Sequence, residues 1–123
     1  MGAGHAGIEA AWAASEFGVR VGVITMPGVA IGSTPCNPSV GGVGKGQVVR
    51  EIDALGGLMG KIADQSAIQF RTLNESKGYA VQSTRVQVDK DKYARVAENL
   101  LLQRENIYSV SYTHLTLPTI YSV

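Results

Sequence analysis

Apolar and polar positions along this chain fall into helical and strand periods in alternation. Ile8 to Phe17 is rich in alanine, with two glutamates and no glycine or proline, which predicts a helix. Gly18 is a natural stop. Val19-Arg20-Val21-Gly22-Val23-Ile24-Thr25 then reads as a buried strand. From Gln47 to Lys61, Val48, Ile52, Leu55 and Met59 recur at helical spacing, although Gly56, Gly57 and Gly60 weaken the second half. Ala67 to Leu73 alternates as a strand does, Asn74 to Gly78 is a turn, and Val81 to Val88 alternates again. Asp89 suits the N-cap of a helix from Asp91 to Glu105, whose Tyr93, Val96, Ala97, Leu100 and Leu101 make an apolar, core-facing stripe. Asn106-Ile107-Tyr108 opens a further strand, and no segment repeats.

Two glycine-rich stretches interrupt these periods. Gly2-Ala3-Gly4-His5-Ala6-Gly7 fits the pattern G-x-G-x-x-G and is followed by the first helix and strand. Turn, helix and strand together are most of a dinucleotide-binding βαβ unit, in which the helix N-terminus offers amides to a pyrophosphate. Two departures stand against it: no strand precedes Gly2, and Thr25 and Met26 occupy the place where an acidic residue ordinarily meets the ribose. A plain glycine-rich turn is the competing reading.

The second stretch, Pro35-Cys36-Asn37-Pro38-Ser39-Val40-Gly41-Gly42-Val43-Gly44-Lys45-Gly46, organises the chain. Its single cysteine lies between two prolines and precedes four glycines and a lysine, with no helical or strand period running through. Prolines fix the backbone, glycines let it approach a ligand, and consecutive free amides in such a loop form an anion-binding concavity. The bland alternative is a long surface turn. A P-loop is rejected, because Gly46 replaces the hydroxyl after Lys45 and Ser39 replaces the first glycine.

Composition narrows the classes. The 123 residues suffice for one modest domain, with 45% hydrophobic and 17% charged residues as in ordinary soluble proteins. A net charge of +1 gives no long-range basic field. One cysteine excludes an internal disulfide and a cysteine-rich zinc site. No apolar run reaches membrane-span length and no signal peptide opens the chain, so a cytoplasmic location is expected. The last residues differ in kind. Val110 to Thr119 matches the conceptual translation of a transposon-end sequencing adaptor, GTC TCT TAT ACA CAT CTG ACG CTG CCG ACG. Residues 110–123 are therefore expected to be a non-native tail, the partial domain covers 1–109, and His114 carries no functional weight.

The Gly2–Gly7 turn, the Cys36–Gly46 segment and Glu51-Ile52-Asp53-Ala54-Leu55-Gly56-Gly57-Leu58-Met59 together resemble the MnmG (GidA) family of tRNA-modifying flavoproteins. Asp64-Gln65, Ile68-Gln69-Phe70-Arg71, Leu73-Asn74, Ser76-Lys77-Gly78, Ala80-Val81 and Thr84-Arg85 continue the resemblance to about Ile107, with Tyr79 where the family usually has proline. The resemblance implies an α/β fold, an incomplete Rossmann-like FAD-binding domain of the GR2-type flavoproteins whose first strand is missing. It implies FAD, with Gly2, Ala3, Gly4, His5, Ala6 and Gly7 on its pyrophosphate, His5 helping to position the flavin. The family lacks the acidic residue that Thr25 and Met26 replace. In the full-length family NADH and methylene-tetrahydrofolate also take part, MnmE is the GTPase partner, tRNA is the substrate, and the protein is a homodimer. A carboxymethylaminomethyl or aminomethyl group is built on C5 of the wobble uridine.

That reaction gives Cys36 a candidate role. Uridine C5 is a poor nucleophile until something adds at C6, and a thiolate does this well when Lys45 and loop amides favour its charged form. Cys36 is thus the candidate catalytic residue, against the reading of a structural thiol beside the cofactor. Lys45, Lys77 and Arg85 are candidates for flavin phosphate or tRNA backbone, against plain surface charge. The alternatives for the whole are a folate- and FAD-dependent tRNA uridine methyltransferase like TrmFO, or a non-catalytic nucleotide-binding remnant. The family's chain is several-fold longer, so Met1 is expected to be internal to a longer frame. A parallel sheet without its central strand leaves backbone groups unpaired, and the chain alone is expected to be marginally stable and inactive.

Overall fold

A computed structural model describes residues 2–112. Helix α1 (His5–Glu16) leads into strand β1 (Val21–Thr25), and after a long loop come strand β2 (Ser39–Gly41) and helices α2 (Lys45–Ala54) and α3 (Met59–Ser66). Strand β3 (Ala67–Leu73), a 3-10 turn (Tyr79–Val81), strand β4 (Ser83–Val88), helix α4 (Lys90–Leu102) and strand β5 (Ile107–Ser111) complete it. Two sheets result. β1 and β5 pair in parallel, Val21 opposite Ile107 through Thr25 opposite Ser111. β2, β4 and β3 form an antiparallel sheet in the order β2-β4-β3. No helix among the described residues is long and apolar enough to cross a membrane.

The helices and both sheets share one core. Ile8 and Ala11 of α1, Val23 of β1, Ile62 of α3, Val86 and Val88 of β4, Tyr93, Ala97 and Leu101 of α4 and Ile107 of β5 are all buried in it. Each large apolar side chain so buried contributes about 1.5–3 kcal/mol. The stripe expected on α4 is the one that packs, and Asp89 caps that helix by accepting from the Lys92 amide at 2.9 Å. Among the described residues, β1 has a strand neighbour on one side only. Val21 N donates to Asn106 O at 2.8 Å and Tyr112 N to Thr25 O at 2.9 Å, so the odd-numbered residues bond toward β5. Ile24 faces the other edge, where its carbonyl accepts from Gly2 N at 2.8 Å. Among the described residues no strand precedes α1.

Several expected boundaries move. The helix expected over Gln47–Lys61 is two helices, α2 and α3, because Gly56 turns the chain at φ +87° and Leu55 ends the first. The first helix begins at His5, so His5, Ala6 and Gly7 form its first turn. The segment around Cys36 is not free of regular structure: Ser39–Gly41 joins the antiparallel sheet. The alternating run Val81–Val88 starts with the end of a 3-10 turn and is a strand from Ser83. β5 continues through Val110 and Ser111, the first two residues of the expected tail, while residues 113–123 lie outside the described residues.

Tyr93 is wholly buried (0% exposed), its ring meets His5 edge-on with centroids 5.7 Å apart, and its hydroxyl has no partner. Burial, with a smaller push from the negative charge of Glu9, raises its phenol from 10.0 to about 12. The unfolded chain therefore releases this proton first. Stability due to Tyr93 is intact below about pH 10 and is lost as pH rises through about 12. The melting temperature is expected to fall more steeply over that window than in Tyr93→Phe, which sacrifices no hydrogen bond and stays within about 1 kcal/mol at neutral pH. Identical slopes in the two proteins would contradict this.

Candidate functional site

The N-terminus of α1 has the form of an anion cradle. Gly4 is its N-cap and brings no side-chain cap; the first intrahelical bond runs from Ile8 N to Gly4 O at 3.0 Å. The amides of His5, Ala6 and Gly7 precede that bond and have no acceptor within the helix. A helix end also carries about half a positive elementary charge. Gly7 is fixed by close packing, since a Cβ there would collide with the carbonyl oxygen of Gly2. Gly4 differs: a Cβ there would meet nothing within 4 Å, so the space outside the turn is open. Ala3 anchors the turn from behind by accepting from Gly32 N at 2.7 Å. Free amides, positive helix end and open approach fit the diphosphate of a dinucleotide. Among the described residues, the buried side-chain atoms His5 Nδ1, Thr34 Oγ1 and Tyr93 OH lack partners. Thr34 lies on the short segment between Gly32, bonded to this turn, and Cys36.

Cys36 is exposed. It lines a groove of about 420 Å³ with Lys45 and Arg85 among its walls. The antiparallel sheet holds this groove open. Val88 N donates to Pro38 O at 2.8 Å, and Gly42 N to Thr84 O at 3.0 Å, on either side of the β2–β4 pairing. Ser83 Oγ donates to Gly42 O at 2.6 Å in the interior. Gly41 lies flat on β4 with φ +85°, where a Cβ would collide with Thr84 O. Its glycine thus answers a close backbone approach. Lys45 opens α2, whose first turn is closed by Gly46 N donating to Gly42 O at 2.8 Å.

Of the candidates named from sequence, Cys36, Lys45 and Arg85 meet at one groove, and Gly2 through Gly7 form the separate helix-start cradle. Lys77 does not line that groove; it belongs to the turn in which its amide donates to Asn74 O at 2.9 Å. Two residues were missed. Arg71 stands directly opposite Arg85 across β3 and β4, a juxtaposition visible only once the register is known. Glu9 reads in sequence as one more helix-surface acid. Its carboxylate instead accepts from Leu58 N at 3.0 Å and Met59 N at 2.7 Å.

A family model described as glucose inhibited division protein A matches residues 1–118. The chain belongs to the GidA family. The tRNA uridine 5-carboxymethylaminomethyl modification enzyme MnmG of Thermus thermophilus is 60% identical over 104 residues, 85% of this chain and 17% of that protein. Its counterpart from Wolinella succinogenes is 50% identical over 107 residues, 87% of this chain and 17% of that one. The solved structure of Aquifex aeolicus GidA superposes with a TM-score of 0.84 at 50% identity, covering 89% of this chain and 18% of that one. The chain thus spans 17% of the length of these two curated relatives. It shares the fold of the N-terminal region of GidA, as the sequence resemblance implied.

Gly7 and Gly4 make a paired test of the cradle. Gly7→Val must displace the Gly2 backbone and is expected to cost about 1–3 kcal/mol, read from the urea midpoint. Gly4→Ala enters open space and is expected to stay within about 1 kcal/mol. Equal losses in the two variants would contradict the packing described.

Proposed function

We propose that this chain is the nucleotide-cradling and thiol-bearing segment of a cytoplasmic flavoprotein that modifies C5 of the wobble uridine of tRNA. The observation that carries the reading is the pairing of two sites linked by the segment from Gly32, hydrogen-bonded to Ala3, to Cys36: the open helix start at Gly2–Gly7, and the exposed Cys36 beside Lys45 and Arg85. The names of the relatives support the tRNA uridine assignment over a methyltransferase of the TrmFO kind.

Gly2 through Gly7 would hold the pyrophosphate of FAD through the free amides of His5, Ala6 and Gly7. FAD supplies two-electron redox chemistry when bound. NADH and methylene-tetrahydrofolate are the further cosubstrates of the proposed whole protein, MnmE its GTPase partner, and a homodimer its assembly.

In this reading Cys36 activates the base. Its thiolate Sγ bonds to uridine C6, and the C5=C6 π pair moves onto C5 and the C4 carbonyl, making C5 nucleophilic. After C5 has gained its new carbon, water takes the C5 proton, and the C5–H pair re-forms C5=C6 as the C6–S bond breaks and the thiolate leaves with the bonding pair. Lys45 and Arg85 face the same groove and place positive charge near the thiolate and the enolate oxygen.

In a full-length protein carrying this segment, Cys36→Ser is expected to abolish wobble-uridine modification while leaving flavin content unchanged. Modification would be read by mass spectrometry of digested tRNA and flavin by absorbance. Retained modification in the variant would remove Cys36 from the chemistry. Flavin retention by the parent protein without any tRNA modification would leave only the binding function.

A further inference from the structure

The outer face of the antiparallel sheet carries an unpaired cationic groove next to Cys36. In the β3–β4 register, Arg71 lies opposite Arg85 and Gln69 opposite Gln87, so all four project from one face. The opposite face carries Val86 and Val88 into the core. Arg71, Arg85, Gln69 and Gln87, with Asn37 and Ser39, line a groove of about 290 Å³. No acidic side chain lines it, nor the adjoining Cys36 groove. Among the described residues the one ion pair is Arg104 with Glu16, elsewhere in the fold. The polar contact made by Arg85 is donation from Nη2 to Ser39 Oγ at 3.2 Å.

Like charges directly opposite one another destabilise a sheet. Here that cost stands without a carboxylate to relieve it. Two guanidinium forks on one face match the tetrahedral oxygens of a phosphodiester, each able to donate two parallel hydrogen bonds. The grooves at Cys36 and at the arginine pair are continuous, because Asn37, Ser39, Leu73 and Arg85 line both.

Resting on the reading that tRNA is the substrate, we propose that Arg71 and Arg85 form a phosphate subsite for the RNA backbone beside the target uridine. A strand whose uridine reaches Cys36 lays a neighbouring phosphodiester across the two guanidinium groups. The amides of Gln69, Gln87 and Asn37 are then placed to meet the ribose hydroxyl or base edge of that nucleotide. The flavin diphosphate has its own donors at the start of α1, so the arginine pair serves the second polyanion.

The test uses full-length protein carrying this segment, with filter binding of unmodified tRNA across a salt series. Arg71→Gln and Arg85→Gln are each expected to weaken binding about tenfold, the size of one lost charged hydrogen bond. Each is also expected to shallow the slope of log affinity against log salt by about 0.7–0.9. The double variant adds both losses, and Arg85→Lys keeps the slope while losing part of the affinity. Flavin content stays at the parent value in all of them, and the melting temperature does not fall, since the Gln variants relieve the repulsion between the two arginines. A double variant with parent affinity and slope overturns the phosphate subsite and leaves the tRNA reading standing. Loss of flavin from the variants overturns it in favour of a cofactor role. A parent protein that does not bind tRNA overturns the tRNA reading and the subsite with it.

Discussion

The carboxylate of Glu9 holds the two halves of this structure together. It projects from the second turn of α1 and accepts from the amides of Leu58 and Met59, where α3 begins without a side-chain cap of its own. A carboxylate at a helix start satisfies orphan amides and meets the positive end of the dipole. Trp12, one turn further along α1, donates from Nε1 to Gly56 O at 3.0 Å, so the same helix grips the turn between α2 and α3 twice. Leu58 is then wholly buried (0% exposed), and Arg104 stacks over Trp12 at 4.0 Å from the ring centroid while pairing with Glu16. The helix that opens at the Gly2–Gly7 turn is thereby bonded to the turn that ends α2, the helix whose first residue, Lys45, borders the Cys36 groove.

This arrangement lets the two proposed polyanion sites coexist in a small fold. One is made of backbone: glycines clear the space, and helix amides with their dipole supply the charge. The other is made of side chains on a sheet face, where Arg71 and Arg85 are held by strand register. The segment from Gly32 to Cys36 spans between them, bonded to Ala3 at one end and leading into β2 at the other. The α1 turn and the thiol are thus linked through the Gly32–Ala3 hydrogen bond and a few residues of backbone.

Local periodicity made much of the fold legible. The alanine-rich run and the α4 stripe with its Asp89 cap carry patterns that packing then uses, and the alternating run of β3 pairs in the sheet although its Ile68 and Phe70 stay exposed. What stayed hidden depends on contacts distant in sequence. The Gln47–Lys61 periodicity continues across Gly56, but the chain breaks there because Glu9 and Trp12 capture the turn. β2 is three residues of Ser, Val and Gly, too short for alternation to show, and exists because β4 pairs with it. The same holds for the site. Cys36, Lys45 and the Gly2–Gly7 turn were visible as a motif and through a resemblance, whereas Arg71 becomes a candidate only when register sets it against Arg85.

The central claim is that the start of α1 receives the flavin diphosphate while the Cys36 groove stays open to RNA. Diffraction from crystals of a flavin-loaded full-length protein carrying this segment tests it most directly. The account predicts diphosphate oxygens about 2.7–3.2 Å from the amides of His5, Ala6 or Gly7, with the groove between Cys36 and Arg85 free of cofactor. A diphosphate bound away from this turn, or lying on Arg71 and Arg85, would contradict it.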